Sequence, residues 1–235
     1  STGILILLVL VYCEMKFFPS NSNLAEANLT KPTSQNDDTK GFTPKQIIFI
    51  RHGEKTNADG SIQKVDLSVN GVKRANELPD FFINHLQDPI NKPEVIIATK
   101  QEDKKHSNRP FETIEPLSKA LKLPIIANYK QSEVEQAVED INKYGTDKTV
   151  LVCWEHKYLV KIAQLLGAPV NNWSDNPQAA KDDDKNYDAI WVITKLDDTR
   201  AELAVYKEFA VSDDGEISYD QVSNTPVYRQ EFQYK

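Results

Sequence analysis

Four short runs of uninterrupted apolar residues constrain this chain most: QIIFI at 46–50, VIIAT at 95–99, TVLVCW at 149–154 and AIWVIT at 189–194. A strand with one wet face alternates apolar and polar residues, whereas these are continuous, as in strands covered on both faces of a parallel sheet. Helical patterns separate them. Residues 69–86 carry Val69, Val72, Leu78, Phe82 and Leu86 on a helical repeat, with Pro79 expected to kink or break the helix. Residues 111–121 follow Pro110, a residue favoured at a first helical position. Residues 133–142 and 158–166 complete the set, the last stopping at Gly167. Strand alternating with helix predicts an α/β fold, a three-layer α/β/α sandwich around a mostly parallel central sheet. Residues 201–209 (AELAVYKEF) alternate and predict an edge strand, and 212–235 have no pattern that assigns them.

The runs lie within one domain-sized stretch. At 235 residues the chain is one domain plus extensions, given roughly 100–200 residues per domain. Residues 3–13 (GILILLVLVYC) hold no charge. A membrane span needs about 20 apolar residues, so this segment has the length of the apolar part of a signal sequence or of a shortened anchor. Residues 1–18 are therefore expected to direct export or anchoring, giving an extracytoplasmic protein with a membrane tether through its N-terminus. Cys13 follows the bulky Tyr12, where a lipidation site favours a small residue. Residues 19–42 are rich in Ser, Asn, Thr, Asp and Lys and predict a disordered polar linker. Residues 43–235 are the folded domain, long enough for one substantial core.

Charge and cysteine count remove other classes. Twenty-eight Lys and Arg against 35 Asp and Glu give a net charge of −7, which disfavours a general nucleic-acid binder. Two cysteines, Cys13 and Cys153, make neither a disulfide framework nor a cysteine-built zinc site.

In open α/β sheets, ligands bind beyond the carboxyl ends of the strands. Arg51-His52-Gly53-Glu54-Lys55 follows the first run, and Glu155-His156-Lys157 follows the third. A polar loop ending in Ser107-Asn108-Arg109-Pro110 follows the second and leads into a helix, whose amino terminus favours an anion. Two arginines can hold a phosphate through bidentate charged hydrogen bonds. A neutral histidine among them can attack phosphorus through one ring nitrogen while the other is tied to an acceptor. A second histidine can donate to the equatorial oxygens. The arginines supply the positive charge, so neither metal nor cofactor is expected.

These residues fall in ordered blocks. Residues 48–55 (IFIRHGEK) resemble the signature of the histidine phosphatase superfamily, which includes the cofactor-dependent phosphoglycerate mutases. Leu67-Ser68-x-x-Gly71-x-x-Arg74-Ala75 resembles that family's next block, and Arg109-Pro110-x-Glu112-Thr113 its second arginine motif. Residues 150–156 resemble its second-histidine strand, and Tyr187-Asp188-x-Ile190-Trp191-Val192 the late strand of small single-domain members. The resemblance covers about residues 46–194, in the family's order. It implies a phosphoglycerate mutase-like fold, His52 as the nucleophile that becomes phosphohistidine, and Arg51, Arg109 and His156 as the phosphate pocket. Gly53, Lys55 and Asn57 become the accompanying substrate-binding positions.

Two departures bear on function. Lys157 follows the second histidine, where one branch has the aspartate that acts as general acid. The acid must come from elsewhere: Glu155, beside His156, is the first candidate, with Glu133 and Glu135 as alternatives. Asn57 sits one residue early for the asparagine of the mutase pocket. The expected function is metal-independent hydrolysis of a small phosphomonoester through phosphohistidine on His52. The alternative is a degraded relative that binds a phosphorylated ligand or partner without turnover; a mutase-type phosphotransferase comes third. His85 and His106 have no supporting pattern, Lys104 and Lys105 solvate a loop or extend the pocket, and Asp182–Asp184 read as a solvated turn. Cys153 reads as a small buried hydrophobe, and Trp154, Trp173 and Trp191 as core or pocket wall.

Overall fold

The computed structural model describes residues 42–102 and 107–234. The apolar segment at 3–13, the linker before Phe42, and Lys104, Lys105 and His106 lie outside them. No helix among the described residues is long and apolar enough to cross a membrane.

The elements in chain order are β1 (Gln46–Arg51), α1 (Val69–Asp80), β2 (Val95–Ala98), α2 (Arg109–Leu121), β3 (Ile125–Ile126), α3 (Val134–Gly145), β4 (Thr149–Trp154), α4 (His156–Leu165), β5 (Ala189–Lys195), β6 (Arg200–Lys207), β7 (Ala210–Val211), β8 (Ile217–Ser218) and β9 (Tyr228–Gln233). Seven strands form the main sheet in the order β3-β2-β4-β1-β5-β6-β9, and β7 pairs with β8 apart from it. The block β3-β2-β4-β1 is parallel, while β5, β6 and β9 join by antiparallel pairings. With β6 running in the direction of β1, the sheet is mostly parallel.

All four apolar runs form strands, and all six residues of β1 and of β4 are buried. The fourth run, apolar on both faces, predicts a parallel strand, yet β5 is antiparallel to β1. Continuity reports burial on two faces, and here helices or loops cover both faces whatever the strand direction. Ile47, Phe49, Val150 and Val152 face a core shared with α3 and α4. Ile48, Ile50, Leu151 and Cys153 face the opposite core, shared with α1 and α2. Each large apolar side chain so buried contributes about 1.5–3 kcal/mol. A one-residue slip of β1 would exchange its two faces, so its register is strongly specified.

Three further expectations need correcting. Pro79 does not break α1; the chain continues to Asp80 and then forms a π-turn over Phe81–His85. That turn lets the consecutive Phe81 and Phe82 both enter the core, as an edge-to-face pair with centroids 5.2 Å apart. The strand expected at the edge, β6, is interior, because β9 pairs along it from Arg200 to Val205. β9 (YRQEFQ) places half-buried Tyr228, Gln230 and Phe232 on one face and exposed residues on the other. Phe42, assigned to the linker, is buried against Tyr234, and Thr43 donates from Oγ1 to the Asn142 carbonyl at 2.8 Å.

Candidate active site

β1 and β4 are adjacent parallel strands with Arg51 opposite Trp154. The turn after each strand therefore begins at the same level. His52 donates its backbone N–H to the Trp154 carbonyl at 3.1 Å, and His156 opens α4 two residues later. Both histidine side chains are almost fully buried.

The His52 turn is held from two sides. The Gly53 N–H donates to Thr113 Oγ1 at 2.8 Å, and that hydroxyl donates to the Arg109 carbonyl at 2.7 Å. Thr113 thus ties the turn to the start of α2, which carries Arg109. On the other side the turn packs on the start of α1, which Ser68 caps by accepting the Gly71 N–H. A Cβ on Gly71 would lie 2.4 Å from the Glu54 carbonyl oxygen, so only glycine allows this approach.

His52 Nδ1 lies 2.7 Å from the Gly53 carbonyl oxygen, which can only accept, so Nδ1 carries the proton. Nε2 then keeps its lone pair. Burial first, and then the charges of Arg51 and Arg109, hold the imidazole pKa well below its ordinary 6.5. The ring is a neutral imidazole with a defined tautomer.

Positive and donor groups surround it. Arg51 is buried, donates from Nη1 to the Asp184 carbonyl at 2.8 Å, and lies 4.1 Å from the centre of the Tyr187 ring. Arg109 donates from Nη1 to the carbonyls of Gln63 and Lys64 at 3.0 and 3.2 Å. Burial lowers the pKa of both guanidiniums. Among the described residues, the Nε atoms of both arginines and Ser107 Oγ are buried and find no hydrogen-bond partner. Buried polar groups are almost always paired, so unpaired donors on two arginines close enough to interact mark a site suited to an anion.

His156 stands close to two carboxylates, neither aligned with it as a hydrogen bond. Its Nδ1 is 2.9 Å from Glu155 Oε1 and its Nε2 is 3.1 Å from Asp184 Oδ1. Burial alone would push the Glu155 carboxyl up; His156, Arg51 and Lys157 overcome it and hold it below the ordinary carboxylate range. Glu155 is therefore near the site but ionised. Glu133 accepts the Lys130 N–H at 2.7 Å, Glu135 is exposed in the first turn of α3, and neither bonds to His52, His156, Arg51 or Arg109.

Asn57 accepts the Val69 N–H at 3.0 Å and donates to Ser61 Oγ at 3.0 Å, shaping the loop ahead of α1. Asn57 and Lys55 line a cavity of about 420 Å³, together with Glu54, Arg74, Asp184 and Tyr187. Asp184 and Tyr187 are shared between this cavity wall and the surroundings of Arg51. His85 is half exposed, 3.1 Å from Asp80, and lies tilted against the Tyr219 ring with centroids 4.3 Å apart. Among the described residues, no three His, Cys, Asp or Glu side chains converge as metal ligands would. Cys153 is buried with its thiol pKa pushed well up by that burial, as a packing residue would be.

Asp184 and Tyr187 are the residues that sequence reasoning missed. They sit on the segment between α4 and β5, fixed by two tryptophans. Trp173 stacks on Trp191 with centroids 4.6 Å apart and donates from Nε1 to the Asn186 carbonyl at 2.9 Å. Its backbone N–H donates to Asp182 Oδ1 at 2.8 Å. Two tryptophans flanking an acidic triplet were the available signal.

No family model and no curated protein matches the sequence. Solved structures do match. A proposed alpha-ribazole-5'-P phosphatase from Escherichia coli aligns over 70% of this chain and 96% of its own, at 14% identity and a TM-score of 0.44. The protein histidine phosphatase SixA, solved with tungstate, aligns over 80% and 96%, at 14% identity and a TM-score of 0.40. A mycobacterial glucosyl-3-phosphoglycerate phosphatase aligns over 69% and 98%, at 10% identity and a TM-score of 0.41. All three neighbours are named as phosphatases. Likeness this distant transfers neither substrate nor residue roles.

Proposed function

We propose that this protein is a metal-independent phosphomonoesterase of the histidine phosphatase type, working through a phosphohistidine on His52. The observation that carries the reading is His52 itself: buried, neutral and tied at Nδ1, beside two arginines whose buried Nε donors find no partner among the described residues. Nε2 attacks phosphorus, Arg51 and Arg109 hold the phosphoryl oxygens, and His156 donates to them as charge builds. Glu155, ionised beside Nδ1 of His156, orients that ring. Lys55 and Asn57 on the cavity wall meet the remainder of a small phosphorylated substrate.

A second reading has one observation in its favour. The Asp184 carboxylate stands against His156 Nε2, where a phosphoryl oxygen would bind. A protein that only captures phosphorylated ligands would keep the arginines and lack turnover. The deciding experiment is phosphate release from nitrophenyl phosphate by the full chain, with and without EDTA, beside His52→Ala. Release that survives EDTA, passes through an acid-labile phosphoprotein and disappears in the variant is expected. Vanadate binding without release establishes the second reading, and equal release by the variant removes the first.

A further inference from the structure

The reaction needs a proton for the leaving alcohol, and the carboxylates nearest the two histidines in sequence are poorly placed to give one. Glu155 is ionised and held against His156. Both oxygens of Glu54 accept from Arg74, at 2.7–3.1 Å. Among the carboxylates farther along the chain, Asp188 accepts from Lys207 at 3.0 Å and from Gln221 at 2.6 Å. Glu112 accepts the Leu67 N–H at 2.9 Å.

Resting on the phosphatase reading above, we propose that Asp184 is the catalytic residue that protonates the leaving group and later activates water. Its carboxyl touches His156 Nε2 at 3.1 Å, while the side chain is 74% exposed and turned toward the cavity it lines. Its backbone carbonyl is held by Arg51 Nη1 at 2.8 Å. The Trp173 and Asn186 contacts fix the segment on both sides of it. An arriving phosphoryl oxygen takes His156 Nε2 and displaces the carboxyl. The bond from Arg51 to the backbone keeps that carboxyl beside the phosphate, at the boundary with the cavity that receives the leaving group. The exposed side of that carboxyl reaches solvent, the source of the proton it passes on.

The steps balance. His52 Nε2 bonds to phosphorus as the ester P–O bond breaks, and the Asp184 proton passes to the departing oxygen, giving the alcohol and a carboxylate. Water then attacks phosphorus, the carboxylate takes its proton, the N–P bond breaks, and phosphate leaves with His52 neutral.

The test compares full-length native protein with Asp184→Asn and Asp184→Glu, following phosphohistidine formation in a single turnover from two esters. Dinitrophenyl phosphate expels a leaving group that needs no proton; glycerol phosphate expels one that does. For Asp184→Asn, formation from glycerol phosphate is expected to fall about 10²–10⁴-fold. Formation from the dinitrophenyl ester stays near native, and Asp184→Glu recovers part of the loss. An equal fall with both esters overturns the assignment in favour of a structural role. Tighter vanadate binding with an undiminished glycerol phosphate rate overturns it in favour of a residue that merely covers the site. Native protein that forms no phosphohistidine from the dinitrophenyl ester overturns the phosphatase reading, and this assignment with it.

Discussion

Arg74 of α1 is in direct contact with Glu208 in the core, and its other edge holds Glu54 of the His52 turn. One guanidinium thus serves two carboxyls. Burial raises the Glu208 pKa from 4.5 to about 7 despite the Arg74 charge, with Asp188 and Glu54 adding to the rise. A carboxyl with a raised folded-state pKa binds its proton more tightly in the fold. Its contribution is complete below pH 4.5 and is lost as pH rises through about 7. The melting temperature of Glu208→Gln relative to native protein should therefore climb across that interval, because the amide stays neutral. A difference independent of pH would show that Glu208 carries no such proton. Arg74→Met, which strands both carboxyls, should cost about 3–5 kcal/mol in denaturant unfolding.

Gly71→Ala should disturb the site from a distance in sequence. The added methyl would sit 2.4 Å from the Glu54 carbonyl oxygen, whereas one on Gly53 would meet its nearest atoms at 3.0 Å. Overpacking of this kind costs about 1–3 kcal/mol. Denaturant midpoints should rank native, Gly53→Ala, Gly71→Ala in falling order, and the last variant should also lose turnover.

Arg51→Lys retains a charge but loses the planar fork that spans the Asp184 carbonyl and the Tyr187 ring. A charged hydrogen bond contributes about 1.5–3 kcal/mol, so vanadate should bind about 10–100-fold more weakly by calorimetry. Unchanged binding would remove Arg51 from the anion site.

His52 should stay neutral through pH 6.5, since burial, Arg51 and Arg109 all disfavour its cation. With labelled histidine, the ring carbon resonance of His52 should not move as pH falls through that value. A titration at 6.5 would mean the ring is solvated and the pocket open.

The parts legible in sequence are those that local pattern decides. Uninterrupted apolar runs locate β1, β2, β4 and β5, and the residues at their ends place His52 and His156 on neighbouring turns. Asp184 reads as a solvated turn residue because its exposure is that of one; its position depends on Trp173 stacking against Trp191 from a different element. β9 escapes assignment because Tyr228, Gln230 and Phe232 are only half buried, leaving a weak alternation. The edge assignment of β6 fails for the same reason, since its partner is the strand whose pattern is too faint to read.

The Phe42 and Tyr234 rings meet with centroids 5.3 Å apart, near the start of β1 and the end of β9. His52 lies beyond the far end of β1, six residues of extended chain away, a span of roughly 20 Å. The described part of the fold therefore has both its ends together, at the end of the sheet opposite His52. A short peptide could join its two ends and new ends be cut in an exposed loop, leaving the His52 end free to face whatever diffuses past.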